Sequence, residues 1–203
     1  MSNVYINICK RIILWFNFVV IKFLIHDYKV LFSSFYIHQN SGAKVVGITL
    51  SESQLKYANN LAKEKKVDDK VSFAIMDYCN TSFESNSFDV VWACESVSSA
   101  VDKVEFIKEA YRVLKKGGTG IFQVPIDMKR EKTFQDDSIT NKLERNKIFG
   151  QYDHVRVYGK DYFKKLENIG FKVKQIDYSK KFTETEILKY SIIKGEIIPV
   201  CTK

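Results

Sequence analysis

The sequence predicts an α/β fold with three layers, in which helices cover both faces of a mostly parallel sheet and the last hairpin is antiparallel. Short apolar runs alternate with helical patterns along the chain, which is typical of β-α-β units. Several helical patterns open with a capping sequence, such as Ser51-x-x-Gln54 and Thr183-x-x-Glu186. With 203 residues and 45% hydrophobic content, the chain is long enough to bury a core as a single domain over residues 1–203.

An apolar run near the start of the chain, Arg11–Ile25, has two interpretations. It could be a membrane anchor, but it is shorter than the ~20 apolar residues that a spanning helix needs, and Lys22 interrupts it. A buried strand and helix of the domain is the better interpretation, so we expect no membrane partner. Phe18–Ile25 is then the first and central strand, within an atypical N-terminal strand and helix at residues 1–41.

Residues 44–93 repeat the strand and helix pattern. Lys44–Ile48 is predicted to be a strand, and a helix follows directly after Ser51. Further strands are predicted at Val71–Met76 and Phe88–Ala93. The last of these runs is apolar almost throughout, which favours a parallel strand that is buried on both faces.

The next helix is predicted to begin at Asp102, which forms a cap with Glu105 three residues later. We expect Gly117 and Gly118 to end this helix, because a helix C-cap needs the conformational freedom of glycine. Thr119–Val124 then forms a fifth strand, which is stopped by the proline that follows it.

Residues 126–156 interrupt the pattern with a long charged segment, which we interpret as a lid-like insertion. The pattern resumes with a helix at Asp161–Asn168 and a strand at Phe171–Tyr178. The last strand is Glu196–Thr202. We expect it at an edge of the sheet because it contains Pro199, which lacks a backbone N–H group.

Composition limits the classes of function. The net charge of +8 and the pI near 9.1 are weak evidence for an anionic partner, since net charge concerns association rather than identity. No basic stripe is interleaved with aromatic residues, so no nucleic-acid partner is expected. Four scattered cysteines and three histidines predict neither a disulfide framework nor a metal site, and reduced thiols fit a cytoplasmic protein.

Six segments in chain order carry a resemblance to a known family: GAKVVGITLSESQL, MDYCNTSFESNSFDVVWACESV, YRVLKKGG, QVPID, FGQYDHVRVYG and GFKV. They resemble the class I S-adenosylmethionine-dependent methyltransferases, in the branch that acts on small molecules. The resemblance covers residues 42 to about 178. It implies a Rossmann-like fold, S-adenosyl-L-methionine as the cofactor and a small-molecule methyl acceptor as the partner. In such a fold the cofactor lies across the carboxyl ends of the strands, where the strand order reverses.

The resemblance also assigns residues to the cofactor. Thr49, Leu50, Ser51 and Gln54 map onto family contacts near the ribose, although a capping box alone also explains Ser51 and Gln54. Asp77 maps onto an acid that accepts a hydrogen bond from the adenine amino group.

Two further residues complete the implied cofactor crevice. Tyr78 could cover the adenine face, and Cys94 lines the crevice at the end of the fourth strand. The alternatives are that Asp77 is a turn residue and that Tyr78 only packs in the core.

Glu95 and His154 are the candidate catalytic residues. Glu95 follows the fourth strand, near the methyl group, but could instead cap a helix. His154 can shuttle a proton near neutral pH. Arg156 and Tyr158 are candidates for substrate binding, because arginine can hold a carboxylate or phosphate with two hydrogen bonds. The alternative for this segment is a salt-bridged loop that fixes the insertion to the sheet.

The chain departs from the family at the N-terminal cofactor loop, because its first glycine is Gly42. The corresponding loop, His26–Phe32, has side chains that would obstruct a close approach of the backbone to the cofactor. Three explanations are open: a divergent enzyme, a degenerate member without activity, or an incorrect reading of the gene upstream of about Ser33. The alternative to an enzyme is therefore a catalytically inactive binding or interaction module. A nicotinamide dehydrogenase fits less well, since Gly-x-Gly-x-x-Gly is absent.

Overall fold

A computed structural model describes residues 20–24, 29–94, 97 and 100–203. Seven strands form one sheet in the order β3-β2-β1-β4-β5-β9-β8, and β6 and β7 form a separate pair. The strands are β1 (Val20–Leu24), β2 (Lys44–Thr49), β3 (Val71–Ile75), β4 (Phe88–Cys94), β5 (Leu114–Gln123), β6 (Phe134–Gln135), β7 (Arg156–Val157), β8 (Lys172–Asp177) and β9 (Ile197–Thr202). The helices are α1 (Lys29–Ser41), α2 (Glu52–Glu64), α3 (Lys103–Val113), α4 (Lys142–Phe149), α5 (Asp161–Ile169) and α6 (Glu184–Tyr190), and Tyr178–Lys181 form a 3₁₀ turn.

The parallel part of the sheet is centred on β1. This strand pairs in parallel with β2 on one side and with β4 on the other. The chain therefore proceeds from β1 to β2 and β3 in one direction and later to β4 and β5 in the other, so the strand order reverses at β1. The α/β fold and the mostly parallel sheet are confirmed, and so is the central strand within Val20–Leu24.

The last hairpin is antiparallel as predicted, but the prediction that Glu196–Thr202 is an edge strand is wrong. β9 lies between β5 and β8 and is antiparallel to both. Pro199 is tolerated in this internal strand because it comes just before Val200, where the pairing of β9 with β5 begins. At Pro199 itself, β9 pairs only with β8. The edge of the sheet is β8.

The connection between α3 and β5 also differs from the prediction. The helix stops at Val113 and the strand begins at Leu114, without a glycine cap between them. Gly117 and Gly118 lie instead in an irregular part of β5, where the pairing with β4 moves from Leu114 to Thr119. Gly117 has a φ of +79°, and a Cβ atom on Gly118 would lie 2.8 Å from a backbone oxygen. The two glycines therefore permit a bulge in the strand.

Apolar residues cover both faces of the sheet. One cluster joins α1 and α2 to the sheet and includes Phe35, Ala58, Trp92 and Ile198. The second cluster joins α3 and α5 to the opposite face and includes Phe106, Phe122, Leu166 and Phe171. Because β4 contributes to both clusters, the prediction that this strand is buried on both faces is confirmed.

Most of the apolar run Arg11–Ile25 lies outside the described residues. Its described part, Val20–Leu24, is the strand β1. Within the described part of the chain, no helix combines the length and the apolar character that crossing a membrane requires.

The insertion at residues 126–156 has secondary structure of its own, namely β6, α4 and the start of β7. It is clamped to the domain at its base, where the backbone N–H and the hydroxyl of Thr133 both donate to Oδ1 of Asp161 at 2.7 Å. A parallel bridge between Ile126 and Tyr158 closes the other side of this base. Its action as a lid stays a prediction.

Candidate active site

The carboxyl ends of β1 to β5 lie at one edge of the sheet, because these strands are parallel. At this edge the backbone N–H of Met76 donates to the carbonyl oxygen of Thr49, with a distance of 3.1 Å. The ends of β2 and β3 therefore lie side by side. Thr49 and Asp77 therefore occupy the same edge. The family resemblance assigns Thr49 to the ribose of the cofactor and Asp77 to its adenine.

A hydrogen-bond network joins Thr49, Ser51 and Gln54 at the end of β2. The Thr49 hydroxyl donates to Oε1 of Gln54 at 2.7 Å and accepts from the backbone N–H of Ser51 at 3.1 Å. The Ser51 hydroxyl accepts from the backbone N–H of Gln54 at 3.3 Å, so it caps α2 as predicted. The prediction of a reciprocal capping box is wrong here, because the side chain of Gln54 does not accept from the backbone N–H of Ser51. The Thr49 hydroxyl accepts from that N–H instead and donates to the Gln54 side chain.

This network leaves a donor for a ligand. Within the described residues, the side-chain nitrogen of Gln54 donates no hydrogen bond. Beside it, Leu50 is 50% exposed at the tip of the strand. An amide donor next to an exposed apolar side chain can bind a hydroxyl oxygen and the face of a ring.

Asp77 forms a turn directly after β3. Its Oδ1 accepts from the backbone N–H of Cys79 at 2.8 Å, and its carbonyl oxygen accepts from the backbone N–H of Asn80 at 3.2 Å. The turn interpretation is therefore confirmed. The carboxylate is also exposed at the edge of the sheet, so the turn is compatible with acceptance of a hydrogen bond from an adenine amino group.

The structure favours packing for Tyr78 rather than a cover for adenine. The side chain is only 7% exposed and meets the ring of Phe106 edge to face, with centroids 5.2 Å apart. Burial raises the pKa of its hydroxyl. An aromatic ring in this position stabilises the contact between β3 and α3.

The end of β4 is described only as far as Cys94, whose backbone is registered with Gln123 of β5. Glu95 lies outside the described residues. The roles of Cys94 in lining the crevice and of Glu95 in catalysis stay predictions.

Arg156 is held over an aromatic support in the insertion. Its Nε and Nη2 both donate to Oε1 of Gln135, with 2.8 Å for Nε. Its guanidinium lies 5.5 Å from the ring centre of Tyr158. Tyr158 is 5% exposed and packs against Tyr162. Tyr158 therefore supports Arg156, and Arg156 has more access to a ligand than Tyr158 has.

The predicted salt bridge of this segment is not formed within the described part of the chain, where neither Asp153 nor Arg156 has an ion-pair partner. His154 is partly buried, and its backbone N–H donates to the carbonyl oxygen of Gln151 at 3.3 Å. Its role as a proton shuttle stays a prediction.

Lys103 is a candidate residue that sequence reasoning missed. Its Nζ donates to the carbonyl oxygen of Ala100 at 2.7 Å, at the start of α3. Burial lowers the pKa of Lys103, and the positive charge of Arg156 lowers it further, whereas Asp137 and Asp102 raise it. No local pattern marks Lys103, which looks like an ordinary first-turn residue.

Comparison with known proteins assigns the central part of the chain. Residues 32–122 match the family model that is described as a methyltransferase domain. These residues are therefore similar to a methyltransferase domain. The chain is 43% identical over 86 residues to the chloroplastic tocopherol O-methyltransferase of Arabidopsis thaliana. The aligned region covers 42% of this chain and 25% of that protein. The match thus spans about a quarter of the length of this relative.

Solved structures of low sequence identity share the fold of this chain. A geranyl diphosphate methyltransferase in complex with S-adenosylmethionine has a TM-score of 0.61 and 18% identity, covering 97% of this chain and 83% of that chain. The [4+2]-cyclase SpnF has a TM-score of 0.70 and 14% identity, covering 97% of this chain and 81% of that one. At such identities the likeness concerns the fold, which hosts more than one reaction.

The glycine-free segment His26–Phe32 is described only in part. His26 to Tyr28 lie outside the described residues, whereas Lys29 to Phe32 form the first turn of α1. The prediction that all of His26–Phe32 is loop is therefore wrong for its second half. A helix begins there without needing glycine, because its residues adopt ordinary helical backbone angles.

A second residue that the sequence did not reveal, Glu196, is partly buried at the same edge of the sheet. Nε2 of Gln123 donates to Oε1 of Glu196 at 2.8 Å. Oε2 of Glu196 and the hydroxyl of Tyr178 are both buried and have no hydrogen-bond partner among the described residues. Both residues line one recess together with Phe182 and Ile192. Burial raises the pKa of Glu196, although the hydrogen bond from Gln123 opposes this.

We expect the Glu196→Gln substitution to change the dependence of stability on pH. A carboxyl group with a raised pKa in the folded state contributes stability that is fully present below its unfolded pKa and is lost as the pH rises through its folded pKa. The free energy of unfolding of Glu196→Gln relative to wild type should therefore increase from pH 4 to pH 8, as measured by urea denaturation. Parallel pH profiles for the two proteins would contradict this, and the exposed Glu64→Gln is the matched control.

Proposed function

We propose that this protein is an S-adenosylmethionine-dependent methyltransferase that acts on a small molecule. The observation that carries the proposal is the placement of Thr49 and Asp77 at adjacent strand ends, with Gln54 of α2 hydrogen-bonded to Thr49, at the edge where the strand order reverses. This is the location at which open α/β sheets bind ligands. The match of residues 32–122 to a methyltransferase domain gives the second line of support.

The described residues fit the adenosine part of the cofactor. The amide nitrogen of Gln54 suits a ribose hydroxyl, the carboxylate of Asp77 suits the adenine amino group, and Leu50 offers apolar contact to the ring. The end of β1, where the methionine part of the cofactor would lie in this family, continues into residues outside the described part.

S-adenosylmethionine, when bound, supplies a methyl group that is activated by a sulfonium charge. The contribution of the protein is then to hold the acceptor in line with that group and to exclude water from the crevice. A base is needed only for acceptors that lose a proton. We assign that role to His154 or Glu95, as the sequence predicts.

The acceptor is proposed to be a small molecule because tocopherol O-methyltransferase and geranyl diphosphate methyltransferase, two similar proteins, are named for small molecules. We further propose a cytoplasmic location, which the free thiols of Cys79 and Cys201 support.

Isothermal titration with S-adenosylmethionine tests the proposal. We expect saturable binding by the wild type and about tenfold weaker binding by Asp77→Ala, which loses one hydrogen bond to a charged acceptor. Asp127→Ala is the matched control, because Asp127 also accepts a backbone N–H two residues later, from Lys129 at 2.9 Å. This control should bind as the wild type does.

The outcomes separate the candidate functions. An absence of binding at millimolar cofactor would remove the enzyme proposal and favour the inactive binding or interaction module. Equal losses in Asp77→Ala and Asp127→Ala would show that the effect of Asp77 is not local to the cofactor crevice.

A further inference from the structure

We infer that the methyl acceptor is mainly apolar and carries a neutral hydroxyl group, and that this hydroxyl binds in the recess between Tyr178 and Glu196. This inference rests on the proposed function and adds a substrate class to it. The recess lies where β8 ends and β9 begins. Apolar side chains form most of its wall, namely those of Phe182, Ile192, Ile193 and Ile198. An apolar wall with a few polar groups is the usual form of a small-molecule site.

Two buried polar atoms of the recess indicate what it binds. The hydroxyl of Tyr178 and Oε2 of Glu196 have no hydrogen-bond partner among the described residues. Tyr178 is only 5% exposed. Buried polar groups in folded proteins are nearly always paired, because an unpaired one has lost its water without gaining a partner. A ligand group that bonds to both atoms therefore gains affinity from each of them.

The two polar residues are held across the recess by their neighbours in the chain. The hydroxyl of Ser179, which follows Tyr178, accepts from the backbone N–H of Gly195, which precedes Glu196, at 3.2 Å. Oε1 of Glu196 already accepts from Nε2 of Gln123 at 2.8 Å, so Oε2 is the oxygen that is left for a ligand. A site that is fixed before binding loses little freedom when the ligand arrives.

The chemistry of these atoms selects a neutral hydroxyl group. A tyrosine hydroxyl can donate and a carboxyl oxygen can accept, so one group that both accepts and donates satisfies the two together. Nζ of Lys181 lies 5.3 Å from the ring centre of Tyr178, which disfavours a ligand ammonium. Burial raises the pKa of Glu196, so the site also disfavours an ionised partner for such a cation.

The size of the recess agrees with this choice. Its enclosed space is about that of one water molecule, which admits a hydroxyl group but not a carboxylate or a phosphate. Ile193 belongs to the wall and is half exposed. The apolar body of the acceptor therefore has a surface to rest on outside the enclosed part.

The recess lies at the same edge of the sheet as the cofactor crevice. Gln123 ends β5 and is registered with Cys94 at the end of β4, and β9 is the next strand beyond β5. Two strand spacings separate Glu196 from the end of β4, which is about 10 Å. At this distance the hydroxyl anchors the acceptor, and another part of the acceptor receives the methyl group.

Titration of the full chain with benzyl alcohol, followed by NMR of the backbone amides, tests the inference. We expect saturable shifts at Ser179, Gly195 and Glu196, with weaker binding of toluene, which lacks the hydroxyl, and of benzylammonium, which is charged. Tyr178→Phe should weaken benzyl alcohol binding about fivefold, since one hydrogen bond is lost, and leave toluene binding unchanged. Tighter binding of benzylammonium or of toluene than of benzyl alcohol would overturn the inference, and so would an absence of saturable shifts at the recess.

Tyr57→Phe is the matched control. Tyr57 is half exposed on α2, which packs at the other end of the sheet, so its substitution should leave benzyl alcohol binding unchanged. An equal loss in Tyr57→Phe would overturn the inference. We also expect Tyr178→Phe to keep or raise the melting temperature, because it removes a buried hydroxyl that has no protein partner. A lower melting temperature would show that this hydroxyl serves the fold through a bound water only, which would overturn the inference as well.

Titration with S-adenosylmethionine keeps this inference apart from the proposed function. We expect Tyr178→Phe to bind the cofactor as the wild type does, because the recess lies beyond the crevice. If the wild type binds the cofactor but benzyl alcohol does not shift the recess signals, the inference is wrong and the proposed function stands. If benzyl alcohol binds in the recess but the cofactor does not bind, the proposed function fails while the hydroxyl site stands.

Discussion

Arg112→Ala should lower the free energy of unfolding by about 3 kcal/mol, because it leaves the buried carboxylate of Glu109 without its cation. Glu109 is only 8% exposed. Nε of Arg112 donates to Oε2 of Glu109 and Nη2 donates to Oε1, both at 2.7 Å. The backbone N–H and the hydroxyl of Thr81 also donate to Oε1, at 2.9 and 2.5 Å.

The same arginine also secures the segment that leads into β4. Nη2 donates to the carbonyl oxygen of Phe83 at 2.7 Å, and Nη1 donates to the hydroxyl of Ser85 at 3.0 Å. Removal of Arg112 therefore releases both an ion pair and a loop. Since this loop follows Asp77, we also expect increased hydrogen exchange at residues 80–87.

The effect of Arg112→Ala should depend on pH with a defined sign. Burial alone would raise the pKa of Glu109, but the hydrogen bonds from Arg112 and Thr81 outweigh it, so the pKa lies below its usual value. Such a group contributes stability that is present above its unfolded pKa, near 4.5, and is lost as the pH falls through its folded pKa. The difference between the wild type and Arg112→Ala should therefore shrink below about pH 4.5.

Urea denaturation measures this prediction, and Lys108→Ala provides the control on the same helix. Lys108 pairs with Glu105 at 2.7 Å, but both side chains are more than half exposed, at 56% and 52%. The loss from Lys108→Ala should stay below ~1 kcal/mol. Similar losses in Arg112→Ala and Lys108→Ala would contradict the assignment of a buried pair.

Gly159→Ala should cost about 2–3 kcal/mol or detach the insertion locally, because the added methyl group has no space. A Cβ atom at this position would lie 2.6 Å from the carbonyl carbon of Lys132, 2.7 Å from its oxygen and 2.9 Å from the nitrogen of Thr133. These are backbone atoms, which cannot turn aside as a flexible side chain can. They also belong to the clamp between Thr133 and Asp161 that holds the base of the insertion.

Gly150→Ala separates this steric effect from backbone strain. Gly150 has a φ of +82° and nothing within 4 Å of the added atom, so its substitution should cost only about 1 kcal/mol. We expect Gly159→Ala to raise hydrogen exchange over residues 126–158, since Gly159 packs against the base of the insertion. Its affinity for S-adenosylmethionine should be retained. A smaller effect of Gly159→Ala than of Gly150→Ala would show that the clamp can yield.

Much of the fold could be predicted because its signals are local. Ser51, Asp102 and Thr183 each cap a helix where the sequence places one, since a cap involves residues only two or three positions apart. The alternation of apolar runs likewise located the five parallel strands to within a few residues, because burial on both faces requires apolar side chains throughout.

The candidate site was predictable on the cofactor side and less so on the acceptor side. Thr49 and Asp77 end consecutive strands, and parallel pairing brings consecutive strand ends together. The environments of Lys103 and Glu196 depend on partners far away in the chain. Gln123 and Glu196, for instance, are 73 residues apart, and no local pattern records such a pair.

The sequence by itself determined the order of the elements, the caps of the helices and the positions of the strand ends that form the cofactor edge. Only the tertiary structure decided that β9 lies inside the sheet and that the Gln54 side chain accepts from the Thr49 hydroxyl instead of from the backbone N–H of Ser51. The physical reason is that capping and burial patterns act between near neighbours in the chain. Strand insertion and competition for a hydrogen-bond partner are settled only when distant segments pack together.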